Sequence, residues 1–195
     1  MNRVDKKYIG SVASLVPLLQ TLSTTHLVLD IEQRRQFKYD NLYFDTPERT
    51  MYHDHHRGKL NRQKVRRRLY VDSGVAFLEV KSKSNKGRTI KKRRAALDLL
   101  SPFNEEEAAF LSRESTFEAA QLEPTLRTAF DRISLVNQAL TQRITIDTSI
   151  SFGLDGKRST VPDLLIVEVK WSKNLPISIH PTLHAHDLMP SAFSK

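Results

Sequence analysis

Between residues 60 and 171 the sequence repeats one pattern: short segments in which apolar and charged residues alternate with period two. Strand side chains point to opposite faces in turn, so the pattern predicts β-strands with one packed and one charged face. Its densest instance is the stretch Arg62-Gln63-Lys64-Val65-Arg66-Arg67-Arg68-Leu69-Tyr70. Read as a strand, it puts Arg62, Lys64, Arg66 and Arg68 on one face and Gln63, Val65, Arg67 and Leu69 on the other. Like charges stacked ~6–7 Å apart repel, and burying even one unpaired is costly. The row therefore faces either water or a space that receives a polyanion.

The remaining elements follow from the same reading. Residues 3–9 predict a short strand with Arg3, Asp5 and Lys7 on one face. Gly10-Ser11 breaks it, and Ser11 or Ser14 caps a helix carrying Val12, Leu15, Val16, Leu19 and Leu22. Residues 24–33 connect, with a short strand near Leu27–Ile31. A strand at Phe37–Asp45 is stopped by Thr46-Pro47, and residues 47–58 form a polar helical stretch. Arg62–Val71, Val75–Lys83 and Arg88–Leu97 predict consecutive strands joined by turns at Asp72-Ser73-Gly74 and Ser84–Gly87. Residues 102–120 predict a helix, with Glu105–Glu107 favouring its N-terminus. Strands at Leu126–Leu135, Gln142–Phe152 and Leu164–Trp171 follow, with Gly153–Ser159 as a loop and a short helix near His180–Leu188.

This succession predicts a single α+β domain over residues 1–195, built on an antiparallel sheet or barrel. The 39% hydrophobic content is enough for a substantial core. The absence of cysteine removes disulfides, thiolate metal sites and cysteine nucleophiles, and suits a cytoplasmic setting. No signal peptide or apolar run of ~18–20 residues is present, so no transmembrane segment is expected. A formal charge of +9 predicts an acidic partner.

The placement of that charge narrows the partner. Lys81 and Lys83 stand with Glu79, Lys91 and Arg93 share a strand, and Arg143, Thr145 and Asp147 share a face, as do Glu168 and Lys170. Apolar residues oppose the charges strand after strand, so the charged face is expected to be an interior or a concave floor. A closed barrel of about eight strands has room for side chains or one small ligand. Lined by Arg and Lys, it must hold water, counter-anions or a chain of phosphates. Carboxylates amid such cations, Glu79 and Glu168, serve as ion-pair partners or as ligands of Mg²⁺ or Mn²⁺.

The motifs Arg3-x-Asp5-x-Lys7-Tyr8, Leu42-Tyr43-Phe44-Asp45-Thr46, Lys64-x-Arg66-x-Arg68-x-Tyr70, Leu78-Glu79-x-Lys81 and Lys91-Lys92-Arg93 occur in order along the chain. They are followed by Arg143-x-Thr145-x-Asp147, Val167-Glu168-x-Lys170 and Phe193-Ser194-Lys195. Together they resemble the catalytic domain of the vacuolar transporter chaperone (VTC) complex and its bacterial relatives, triphosphate tunnel metalloenzymes of the CYTH superfamily. The resemblance implies an antiparallel β-barrel tunnel of about eight strands with a basic interior and flanking helices. It also implies divalent-metal-dependent chemistry, with Mn²⁺ or Mg²⁺, on ATP, triphosphate or polyphosphate. By the same resemblance Arg66, Arg68, Lys81, Lys91, Arg132 and Arg143 are catalytic cations. Lys7, Lys64, Arg93, Lys170 and Lys195 bind phosphate, and Glu168 with Glu79 holds the metal. Arg3 and Asp5 stand where the wider superfamily carries paired glutamates, which favours the VTC branch over the thiamine-triphosphatase-like branch.

The resemblance implies transfer of the γ-phosphate of ATP onto a polyphosphate chain, or hydrolysis of a triphosphate by the same fold. A non-catalytic polyphosphate- or RNA-binding domain also explains the charge. That reading requires aromatic residues on an open basic face. Phe77 apart, the aromatics fall mostly at strand ends or on apolar faces, so no nucleic acid is expected. His53, His55 and His56, and the i, i+4 pair His180 and His184 with His186, are read as surface histidines rather than metal ligands.

Overall fold

A computed structural model describes residues 3–154, 156–172 and 179–193. Among these residues eleven strands occur: β1 (Arg3–Ser11), β2 (His26–Val28), β3 (Gln36–Asp45), β4 (Arg62–Tyr70), β5 (Val75–Lys83), β6 (Thr89–Ala96), β7 (Glu123–Asn137), β8 (Gln142–Leu154), β9 (Lys157–Val161), β10 (Leu164–Ser172) and β11 (Met189–Ser191). Four α-helices accompany them: α1 (Leu15–Leu22), α2 (Thr50–His56), α3 (Glu105–Glu114) and α4 (His180–Ala185). All the strand pairs among the described residues that position the candidate site are antiparallel.

The chain divides into two compact units. The first comprises residues 1–38, 130–151 and 159–195, with the strand order β11-β1-β10-β8-β7 and β2 on β7. The second comprises residues 39–129 and 152–158, with the order β7-β3-β4-β5-β6. The long strands β7 and β8 contribute residues to both.

In the first unit, one face of β1, β8 and β10 supplies Tyr8, Ile144, Ile146, Leu165, Val167, Val169 and Trp171 to an apolar core. Leu18 and Leu22 of α1 and Leu183 of α4 close over it. The helix start differs from expectation. Gly10 and Ser11 stay in β1, and the Ser11 side chain accepts from the Ala13 amide to cap a single 3₁₀ turn, Val12–Ser14, ahead of α1.

In the second unit, Leu42, Phe44, Val65, Leu78 and Val80 face Met51 of α2 and Phe110 and Leu111 of α3. Asp45 ends β3 by turning its carboxylate onto the amides of Thr46, Met51 and Tyr52 at 2.8 Å each, which seats the first turn of α2. Arg67 is the exception on this packed face. Its side chain is 2% exposed, and its guanidinium forms a two-pronged pair with Glu107 of α3, Nε to Oε1 at 3.0 Å and Nη2 to Oε2 at 2.5 Å. The remaining N–H groups reach the carbonyls of Leu99, Ser101 and Pro102, and the ring of Phe103 lies 4.8 Å away. Glu107 also completes a capping box with Asn104 at the start of α3. One carboxylate thus starts the helix and neutralises the arginine beneath it.

Two expectations need correcting. Among the described residues the strands number eleven rather than about eight: β2, of three residues, overlaps the short strand expected near Leu27–Ile31, whereas β9 and β11, of five and three residues, are too short to show as periodic runs. The other eight are long, and among the described residues the strand order runs from β11 to β6 with no pairing that joins its ends. Gly153–Ser159 is not a plain loop: β8 continues to Leu154 and β9 begins at Lys157. The backbone of Lys157 comes so close to Gly153 that no Cβ would fit there. No helix among the described residues is long and apolar enough to cross a membrane.

The Arg67–Glu107 pair generates a stability prediction. Glu107→Ala leaves a buried guanidinium unneutralised and should cost ~3–5 kcal/mol. Replacing both residues by apolar ones of similar volume should cost much less. Urea denaturation of the single and double variants measures both, and an unchanged midpoint for Glu107→Ala would show that the pair carries no weight.

Candidate phosphate-binding site

In the second unit, register alone assembles three rows of side chains on the face opposite the core. In the middle row Tyr43 lies across from Arg66, Arg66 from Glu79, and Glu79 from Arg93. One row to one side, Lys64, Lys81 and Lys91 stand directly opposite one another. One row to the other, Asn41, Arg68, Phe77 and Ala95 do the same. These rows hold three lysines, three arginines and the single carboxylate Glu79. Like charges directly opposite on a sheet destabilise it unless something neutralises them.

Glu79 is 1% exposed and both its oxygens are engaged. Oε2 accepts from Arg66 Nε at 2.8 Å and Nη2 at 2.7 Å, and Oε1 accepts from Lys91 Nζ at 2.8 Å. Burial by itself raises this carboxyl. The Arg66 charge, the Lys91 hydrogen bond and the Arg68 charge outweigh burial and bring it down to about 2. Arg66 also donates to the Tyr43 hydroxyl at 3.1 Å. Burial pushes the Tyr43 phenol up, yet the charges of Arg66, Arg68 and Lys64 hold it below its ordinary value. A buried phenol shifted in that direction reports a strongly positive local field. Arg68 is aimed by its Nε bond to Asn41 Oδ1 at 2.7 Å, and Asn41 is in turn anchored on the Thr128 carbonyl at 3.1 Å. Lys81 is exposed, and Arg93 is exposed over the ring of Phe77 at 4.5 Å.

The first unit carries a second charged face. Lys7 lies across from Glu168 and Glu168 from Thr145, while Asp5 lies across from Lys170 and Lys170 from Arg143. Glu168 Oε1 is 3.4 Å from Lys170 Nζ. Burial raises the Glu168 carboxyl, but the charges of Lys170, Lys7 and Arg132 hold it below the usual range. Arg132 makes a two-pronged pair with the fully buried Asp147, at 2.6 and 2.7 Å. Lys7 Nζ donates to the Phe193 carbonyl at 2.7 Å. Arg143 is exposed and makes no ion pair or hydrogen bond among the described residues.

Of the residues singled out from sequence, Lys64, Arg66, Arg68, Glu79, Lys81, Lys91 and Arg93 gather in the second unit. Lys7, Arg132, Arg143, Glu168 and Lys170 gather in the first. Lys195 lies outside the described residues. Tyr43, Asn41 and Asp147 were not predicted as site residues. Alternation within Asn41-Leu42-Tyr43 places Asn41 and Tyr43 on the cation face once β3 pairs with β4. Asp147 needed the contact with Arg132, which no spacing announces.

The two carboxylates differ in fitness for a divalent metal. Glu79 is saturated by Arg66 and Lys91, so it suits a counter-ion better than a ligand. Glu168 keeps a more weakly engaged carboxylate, and the buried Thr145 Oγ1 across from it has no hydrogen-bond partner among the described residues. That donor set fits Mg²⁺ or Mn²⁺ held by one carboxylate, with phosphate oxygens and water completing the shell. Among the described residues no three His, Asp or Glu side chains gather as a metal cluster. His53 and His56 pack on Tyr52, His180 contacts Tyr8, and His186 contacts Thr21.

Solved structures share this fold at low sequence identity. A protein of Bacillus halodurans, provisionally assigned as an adenylate cyclase, superposes with a TM-score of 0.62 at 12% identity, covering 100% of this chain and 96% of that one. A Hippeastrum protein first assigned as an adenylyl cyclase and reported to have a dominant triphosphatase activity gives 0.58 at 14%, covering 100% and 93%. A Vibrio parahaemolyticus protein, also provisionally an adenylate cyclase, gives 0.57 at 14%, covering 100% and 95%. No curated protein matches the sequence. The model of the VTC domain family matches residues 2–195. The match spans nearly the whole chain, and the chain therefore belongs to the VTC domain family.

Proposed function

We propose that this protein is a divalent-metal-dependent phosphotransferase of the polyphosphate polymerase type. The terminal phosphate oxygen of a polyphosphate chain attacks the γ-phosphorus of ATP, the bond from that phosphorus to the β,γ-bridging oxygen breaks, and ADP leaves. Phosphoryl transfer asks the protein for positioning and for neutralisation of charge on the phosphate oxygens, with little covalent work. The observation that carries this reading is the set of adjacent rows in which three lysines and three arginines share one carboxylate. Within these rows cations outnumber carboxylates, which suits the binding of a polyanion.

The residues divide the work. Glu79 holds Arg66 and Lys91 in place, and Asn41 aims Arg68, so these cations are preorganised. Lys81, Lys64 and Arg93 supply further phosphate contacts on this face of the second unit; the charged face of the first unit offers Lys7, Lys170, Arg132 and Arg143 to phosphates in its own right. Glu168 would hold Mn²⁺ or Mg²⁺, which supplies charge neutralisation at phosphate oxygens. The triphosphatase activity reported for the Hippeastrum protein of like fold favours a second reading, in which water replaces the polyphosphate nucleophile.

Incubating the protein with ATP and Mn²⁺ or Mg²⁺ tests both readings. Polyphosphate ladders with ADP support the polymerase, free phosphate without chains supports the hydrolase, and neither product with either metal overturns the enzymatic reading. Arg66→Ala should lower turnover by ~10²–10³, the range for losing a preorganised charge-stabilising donor, and should weaken phosphate binding. Glu168→Ala should abolish metal-dependent turnover while leaving anion binding largely intact. Full activity in both variants would refute the assignment of these residues.

The counter-ion role of Glu79 has a pH signature. Its carboxyl is lowered from 4.5 to about 2 in the folded state, so its contribution is complete above about 4.5 and disappears as pH falls to about 2. The stability difference between wild type and Glu79→Gln should therefore be full at neutral pH and shrink across that window. A difference independent of pH would mean that Glu79 is not a charged partner of Arg66 and Lys91.

A further inference from the structure

The cation face of the second unit ends in three aromatic rings, of which Tyr39 is buried. Tyr39, Tyr70 and Phe77 lie on the same face as Arg66 and Arg68, with ring centroids 5.1 Å apart for Tyr39–Tyr70 and 6.0 Å for Tyr70–Phe77. None of the three belongs to the apolar cluster that α2 and α3 cover. Phe77 and Tyr70 are half-buried.

Arg93 adds a second observation. It lies directly across from Glu79, the natural partner, but both Glu79 oxygens are taken by Arg66 and Lys91. Arg93 instead lies over the Phe77 ring at 4.5 Å and makes no ion pair or hydrogen bond among the described residues. The result is a guanidinium held against an aromatic ring, with its N–H donors uncommitted. Arg68 lies over Tyr39 in a related way, at 5.2 Å. Stacked arginine and aromatic planes are the surfaces on which nucleobases sit. Rows on one strand face are ~6.6 Å apart, so the rings begin one row beyond Arg66 and Glu79.

We propose that Phe77, with Tyr70 beside it and Arg93 over it, seats the base of a nucleoside triphosphate whose phosphates lie on the adjoining cation rows. This rests on the reading that those rows bind phosphates, and it adds that the site distinguishes a nucleoside triphosphate from an inorganic one. Arg93 stands at the junction, where its donors meet the α-phosphate or the base edge. Phe77 is a specificity-determining residue for the base, and the lysine row is indifferent to it.

Calorimetric titration with ATP and with inorganic tripolyphosphate, without divalent metal so that no turnover occurs, tests the proposal. Wild type should bind both, ATP more tightly. Phe77→Leu should weaken ATP about tenfold, in the range of one lost base stack, and leave tripolyphosphate within about twofold. Phe77→Trp, which keeps a stacking surface, should retain ATP binding, with an emission change on adding ATP but not tripolyphosphate. This second variant carries the test if Phe77→Leu fails to fold. Equal losses for both ligands, or no loss of ATP binding, would overturn the base seat and leave the phosphate reading intact. Failure of wild type to bind either ligand would overturn both.

Discussion

The candidate site depends on one buried carboxylate among cations. Glu79 accepts from Arg66 through one oxygen and from Lys91 through the other, and so joins β4 to β6 across β5. Without it, the strand register would bring the Lys64–Lys81–Lys91 row and the arginines beside it together without the carboxylate that offsets part of their repulsion. With it, Arg66 and Lys91 are held still, as Arg68 is by Asn41. A face that is partly neutralised in this way is stable enough to fold and still favours a polyanion.

The opposite face makes this arrangement possible. Each strand of the second unit gives alternate residues to the core beneath α2 and α3, and that packing decides which residues share the charged side. Arg67 is the one cation of the dense stretch turned inward, and Glu107 neutralises it there while capping α3. The same triplet Arg66-Arg67-Arg68 therefore serves two purposes: its middle member ties a helix to the sheet, and its outer members face the site. A slip of one residue in β4 would exchange those roles.

The charged face of the first unit is built differently. There Glu168 is neither saturated nor fully buried, and its neighbours Lys170 and Lys7 belong to its own strand and to the adjacent one. Arg132 is committed to Asp147, whereas Arg143 remains exposed. Two carboxylates that look alike in sequence, each in an alternating apolar strand, thus have different capacities for a metal. The difference lies in how closely cations bind each one: Glu79 is held at 2.7–2.8 Å by two, Glu168 at 3.4 Å by one.

Alternation along the chain was enough to locate β4, β5 and β10, to separate the packed faces from the charged ones, and to select Arg66, Glu79 and Glu168. This is because side-chain direction in a strand depends only on residue parity. Parity says nothing about which strands are neighbours. The pairing of Glu79 with Lys91, of Arg132 with Asp147 and of Arg67 with Glu107 came from tertiary register and helix docking. The short strands β9 and β11 were invisible for a related reason: three to five residues hold too few alternations to register as a period, and only pairing with a longer strand makes them strands. Sequence by itself determined that this protein has strands with one packed and one basic face. Tertiary structure decided which cations Glu79 and Asn41 hold and that aromatic rings border them.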